Sequence, residues 1–213
     1  MKINQALLDE VTRIKINVLH KRDNDNLKSI MVTSANHGEG TSTLASYLAM
    51  ALGSGGKKKV LLIDANTRKA KLHEWFNQKK ENGFSDYLKN NIGLSKIIKE
   101  TSVSNIKLIT AGNLSQEENI IDILSGITQE IKEALEMDFD WVIYDSPPVN
   151  YYPDTLLTAL LADGIILVIF AERTRQAAVQ KVKESLESIN KKILGGVLNG
   201  RRYAVPGFIY KRL

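Results

Sequence analysis

The 213-residue chain contains no cysteine, which excludes disulfides and any metal centre built on thiolates. Histidine is almost as scarce. His20, His37 and His73 stand without ligand spacing, so a histidine metal centre is disfavoured. No apolar run approaches the roughly 18–20 residues of a membrane-spanning helix, and the N-terminus lacks the pattern of a signal peptide. There is no internal repeat and no low-complexity segment. These absences leave the cytoplasm as the expected location. Nor does charge of one sign dominate: 29 Lys and Arg against 24 Asp and Glu give a net charge of +5. With no reader motif beside it, that modest charge disfavours nucleic acid as a partner. What is present, 43% hydrophobic and 25% charged residues, is ordinary for a globular domain with a sizeable core.

Apolar spacing organises the rest. Leu7, Val11, Ile14 and Val18 recur at 4-3-4 spacing and predict an amphipathic helix over residues 4–20. Asp23-Asn24-Asp25-Asn26 reads as an exposed turn. Strands are expected at 30–34, 60–64, 106–110, 141–145, 164–170 and 193–198. Helices are expected from Ser42 to the Gly53-Ser54-Gly55-Gly56 stop, over 117–137, 155–161 and 174–190, with short helices in a loop-rich region at 71–100. Val60-Leu61-Leu62-Ile63 and Trp141-Val142-Ile143-Tyr144 are continuous apolar runs that suit parallel strands covered on both faces. The alternation predicts an α/β fold: three layers, a mostly parallel sheet with helices on both faces. One domain spans residues 1–213, with an N-terminal helix and turn at 1–28, a core at 29–200 and a basic-aromatic tail at 201–213.

The chemistry gathers at the strand ends. Ser34-Ala35-Asn36-His37-Gly38-Glu39-Gly40-Thr41-Ser42-Thr43 links the first strand to a helix, the arrangement whose backbone N–H groups and helix dipole bind phosphate. It departs from the G-x-x-x-x-G-K-[ST] pattern at Ala35, which replaces a glycine, and at Thr41, which replaces the lysine. Asp64 and Asp145 each end an apolar strand. A loop hydroxyl such as that of Ser42 can hold Mg²⁺ together with a strand-end carboxylate, while a second carboxylate can take a proton.

These stretches, with Gly83-Phe84-Ser85-Asp86-Tyr87-Leu88, Ala162-Asp163-Gly164 and Leu194-Gly195-Gly196-Val197-Leu198-Asn199, resemble the bacterial tyrosine-kinase family of capsule and exopolysaccharide assembly. That family is a branch of the MinD/ParA-type P-loop ATPases. The resemblance implies ATP or ADP and Mg²⁺ as cofactors. It puts the nucleotide on Gly38, Glu39, Gly40, Thr41, Ser42 and Thr43, with Asn199 at the adenine. It puts the metal on Ser42, Asp64 and Asp145, with Asp64 the candidate catalytic carboxylate. It also implies a homo-oligomer and, as partner, an integral-membrane polysaccharide co-polymerase, placing the protein on the cytoplasmic face of the cell membrane.

The departures from the family pattern point one way. Thr41 removes a charge-assisted phosphate contact worth roughly 1.5–3 kcal/mol. Asn66 replaces a second aspartate. Ile16 replaces the last arginine of the Glu10/Arg13 oligomerisation element, and the tail holds only Tyr203 and Tyr210. The expectation is a kinase-like protein, catalytically impaired, that regulates polysaccharide polymerisation or export. The alternative is an active Mg-ATP-dependent tyrosine autokinase, in which Arg68, Lys69, Arg173 or Arg175 stands in for the missing lysine. A MinD/ParA-type positioning ATPase ranks third, because Ala35-Asn36-His37 offers no early lysine. The tail, which contains no acid, suits contact with an anionic membrane or a membrane partner.

Overall fold

A computed structural model describes residues 5–56, 58–89, 92–113 and 128–200. Seven strands form one sheet: β1 (Ser29–Ser34), β2 (Val60–Asp64), β3 (Ile98–Glu100), β4 (Ile106–Ile109), β5 (Trp141–Asp145), β6 (Gly164–Phe170) and β7 (Ile193–Asn199). Their order across the sheet is β3-β4-β2-β5-β1-β6-β7. All neighbours pair in parallel except β3, which pairs antiparallel with β4 at the edge.

Side chains alternate across each strand, so every central strand feeds two cores. Ile30, Val32, Leu62, Trp141 and Ile143 join one core with the helices α1 (Gln5–Asp25) and α2 (Thr41–Gly53). Met31, Leu61, Ile63, Val142 and Tyr144 join the other, under α6 (Thr128–Glu136), α7 (Thr155–Leu161) and α8 (Gln176–Ser188). The expected three layers are present. From Leu44 to Gly53, α2 is buried on all sides, as a helix apolar all round must be. It lies between the sheet and α1, whose Val11 and Val18 are buried. The Lys15 ammonium on α1 reaches Ala51 O and Ser54 Oγ, placing a cation at the negative end of α2.

Two details differ from the sequence expectations, and a third falls partly outside the described residues. The turn expected at Asp23-Asn24-Asp25-Asn26 is helical through Asp25 and closes at left-handed Asn26, φ 51°, a residue type that tolerates that conformation as a helix stop. Between Leu72 and Ile97 lie the short helices α3 (Leu72–Trp75), α4 (Phe84–Leu88) and α5 (Leu94–Ile97), but β3 follows them directly. Of the helix expected over 117–137, residues 128–136 are helical, and 114–127 lie outside the described residues. The tail at 201–213 also lies outside them.

Candidate functional site

Between β1 and β2 the chain skips over β5, which brings the carboxyl ends of three strands together. Such a switch point opens a crevice for ligand in α/β sheets. Asp64 and Asp145 stand opposite one another at the ends of β2 and β5, and Val32 of β1 lies beside Asp145. Above them the glycine loop leads into α2. A cleft of about 460 Å³ is lined there by Gly38, Gly40, Thr41, Ser42 and Thr43, with Asn66, Lys69, Lys71 and Trp75 on the facing side.

The loop is shaped from beneath and from behind. Glu39, 1% exposed, accepts bonds from the Ala35 N–H, Asn36 Nδ2 and the Thr174 hydroxyl. Arg173 donates to Gly38 O at 2.7 Å, and Asn199 Nδ2 donates to Glu39 O at 2.9 Å. In a trans peptide the following N–H points opposite to the carbonyl. These two props therefore turn the N–H groups of Glu39 and Gly40 away from Arg173 and Asn199. Gly38 and Gly40 have φ of 71° and 100°, and a Cβ on Gly40 would lie 2.4 Å from Asn199 Nδ2. The Gly40 carbonyl then accepts from the Leu44 N–H to begin α2. Asn199, whose Oδ1 also accepts from the Gly200 N–H, is thus placed behind the loop as its support.

The aspartate pair differs in its surroundings. Asp64 Oδ1 accepts from the Asn66 N–H, and Oδ2 from the N–H groups of Lys71 and Leu72. Burial nevertheless raises its pKa to about 7, with those three backbone bonds opposing the rise. Neither oxygen of Asp145 makes a hydrogen bond of good geometry. Burial and then the neighbouring Asp64 push its pKa well above the carboxylate range. The Ser42 hydroxyl is close enough to favour the charged form slightly, and so is the charge of Lys71. Two facing buried carboxylates, one of them unpartnered, fit a divalent cation. Among the described residues no cluster of three or more His, Cys, Asp and Glu could hold a metal. Two carboxylates with a hydroxyl nearby are a donor set of the kind Mg²⁺ uses, since it keeps several waters and takes one or two carboxylates plus phosphate. Ser42 and Asp145, with Asp64 beside them, are the residues that would hold it.

The expected substitute cations separate. Arg68 pairs with Asp154 at 3.3 Å and lies over Tyr152. Arg173 is spent on the loop carbonyls and stacks on Phe170 at 4.0 Å. Arg175 lines a different hollow with Asn36, His37 and Tyr151. Lys69 does line the cleft above the loop, and so does Lys71, which was not among the expected substitutes. Burial and then the charge of Lys69 hold the pKa of His37 low, and its imidazole lies against the rings of Tyr151 and Tyr152. The available signal for Lys71 was its place on the loop leaving Asp64, which has to cross the strand ends.

Residues 27–197 match the AAA domain family. The chain is 31% identical over 195 residues to tyrosine-protein kinase YwqD of Bacillus subtilis (strain 168), covering 91% of this chain and 81% of that protein. It is 34% identical over 173 residues to tyrosine-protein kinase CpsD of Streptococcus agalactiae, covering 81% and 75% respectively. The crystal structure of the chimerical protein CapA2B2 superposes with a TM-score of 0.83 at 29% identity, over 92% of this chain and 85% of that one.

Proposed function

We propose the following for this chain, which belongs to the bacterial tyrosine-protein kinase family of P-loop ATPases: it binds Mg-nucleotide but transfers phosphate poorly, and serves capsule or exopolysaccharide assembly as a regulatory partner. The observation that carries this reading is the contrast between an intact cradle and a missing charge. The loop, Ser42 and the two aspartates are assembled, whereas position 41, the first residue of α2, is an uncharged threonine.

Each residue has a task in this scheme. Backbone N–H groups of the 38–43 loop would wrap the phosphates, and the N-terminal dipole of α2 would add roughly half a positive charge. Ser42 and Asp145 would hold the metal. Magnesium, when bound, would neutralise phosphate charge and polarise the terminal phosphoryl group. Asp64, with a pKa of about 7, is poised to take a proton from a tyrosine hydroxyl. Asn199 would keep the Glu39 carbonyl turned back, and from that position could also border the adenine. An integral-membrane polysaccharide co-polymerase is the proposed partner, with the basic-aromatic tail at 201–213 as its contact or as a contact to anionic lipid. Among the described residues no helix is long and apolar enough to cross a membrane. Self-association through α1 would use a face where Glu10 and Arg13 pair with each other at 3.6 Å and Ile16 is 60% exposed.

Titration with Mg-ADP and Mg-ATP, followed by radiolabel transfer to tyrosine, tests the reading. Micromolar to submillimolar binding with little transfer is expected. Turnover matching an active relative and lost in Asp64→Ala would replace it with the autokinase reading. That second reading draws its support from the two lysines on the cleft.

A further inference from the structure

The cleft over the loop has a one-sided charge. Its lining residues include Lys69 and Lys71 and no acid. Both lysines sit on the segment that leaves β2, and that segment is pinned. The Lys71 N–H bonds to Asp64 Oδ2 at 3.2 Å, and the Lys69 N–H bonds to Asn66 Oδ1 at 3.1 Å. Their Cα positions are therefore fixed relative to the aspartate pair, while four-carbon stems leave the ammonium groups free to reach.

Several other lysines are engaged. Lys58, Lys99, Lys107, Lys132, Lys183 and Lys192 all form ion pairs. Among the described residues neither the Lys69 nor the Lys71 ammonium does so, and Asn66 beside them on the cleft is uncharged. Both lysines line the cleft, and they are near enough for the charge of Lys71 to act on Asp145 and that of Lys69 on His37.

We propose that Lys71, with Lys69 beside it, supplies the cation that binds the β- and γ-phosphates of a nucleoside di- or triphosphate, in place of a lysine at position 41. This rests on the reading of the cleft as a nucleotide site. It separates two tasks: the loop N–H groups shape the phosphate path, and the segment after Asp64 supplies its counter-charge from the opposite wall.

The test is calorimetric titration of the full chain with ADP and with AMP, both with Mg²⁺, at low and moderate salt. A charge-assisted phosphate contact of this kind corresponds to roughly a tenfold or greater change in affinity. Lys71→Ala and Lys71→Gln should each weaken ADP about tenfold or more, and the double change with Lys69→Ala should weaken it further. AMP, which lacks the outer phosphates, should change less than about twofold. Lys71→Arg should retain most ADP affinity, and Thr41→Lys placed in the Lys71→Ala background should restore it. If the double variant binds ADP like the unaltered protein, the inference falls while the nucleotide site stands. Equal losses for AMP and ADP also overturn it, because they mark a general effect on the site. Should the unaltered protein bind neither ligand at millimolar concentration, the nucleotide reading itself fails and takes the inference with it.

Discussion

Asp145→Asn should stabilise the ligand-free protein at pH 8, although it removes a residue at the centre of the site. The carboxyl of Asp145 is fully buried, makes no good hydrogen bond and faces Asp64. Keeping both groups ionised in that place costs folding free energy. Burial raises the Asp64 pKa from 3.8 to about 7, which at 1.36 kcal/mol per pH unit corresponds to about 4 kcal/mol. Asp145 is pushed the same way by burial and then by the Asp64 charge, so the Asp64 figure sets the scale for what the substitution removes. Asparagine removes one charge and the repulsion, but its buried amide inherits the lack of partners, a cost of about 1–3 kcal/mol. The net gain is then about 1–3 kcal/mol, or about 3–10 °C in Tm for a chain of this size.

The pH dependence identifies the cause. Both carboxylates bind protons more tightly in the folded protein than in the unfolded one. Between pH about 4 and about 7 the unfolded chain therefore carries fewer protons, and stability falls as pH rises. The advantage of Asp145→Asn should be absent below pH about 4, grow as pH rises, and be complete only above the raised pKa of Asp145. Thermal unfolding with chelator at pH 4, 5.5 and 8 reads this directly. A lower Tm for the variant at pH 8, or a difference independent of pH, would refute the reasoning. Added Mg²⁺ and ADP should raise the Tm of the unaltered protein at pH 8 and leave that of the variant almost unmoved.

Other outcomes follow from the same geometry. Because the metal requires ionised carboxylates, Mg²⁺ affinity measured with ADP present should strengthen as pH rises from 6 to 8, following the Asp64 pKa of about 7. Gly40→Ala places a Cβ 2.4 Å from Asn199 Nδ2 at a φ of 100°, and urea unfolding should show a loss of about 1–3 kcal/mol. Asp163 behaves oppositely to the site pair. Burial works against its charge, but bonds from the Lys28 and Ser29 N–H groups and the Lys132 ammonium at 3.0 Å hold its pKa below the usual value. Its stabilisation should be present above pH about 4 and lost as pH falls through its folded pKa. Asp163→Asn should cost about 2–4 kcal/mol by chemical denaturation at pH 7.

Much of the fold is legible in the sequence because its central strands are buried on both faces. Val60-Leu61-Leu62-Ile63 and Trp141-Val142-Ile143-Tyr144 are unbroken apolar runs, and each carries its aspartate at the strand end. The edge is different. β3 has three residues, none of them buried, too few to display a period of two. Its existence depends on pairing with β4, and no local pattern announces that partner. The helical continuation of α1 through Asp25 is hidden for another reason: acidic and amide residues favour turns locally, yet here Asp25 is held by Lys192 from the far end of the chain. At the site, Gly38, Gly40, Ser42 and the two aspartates can be read from motif spacing. The fate of the arginines cannot. Arg68 is taken by Asp154 and Arg173 by the Gly38 carbonyl, contacts that exist only after the chain has folded.

The missing lysine is chemically separable from the loop it left. Glu39, Arg173 and Asn199 hold the peptide units through carbonyls and a buried carboxylate, and none of these contacts uses the side chain at position 41. A threonine there deletes charge and leaves shape intact. The aspartate pair is the opposite case, since it has a shape that is costly without a cation. A single Asp-to-Asn change would remove about 1–3 kcal/mol of that cost, a large share of the 5–15 kcal/mol typical of a folded domain. On the proposed reading, a pair kept ionisable at that expense, with the Ser42 hydroxyl beside it and Lys69 and Lys71 on the cleft, is arranged to meet a metal and a polyphosphate together. Local strain of this kind belongs to functional sites. On the proposed reading, Thr41 slows the chemistry of a cleft that still binds its ligand.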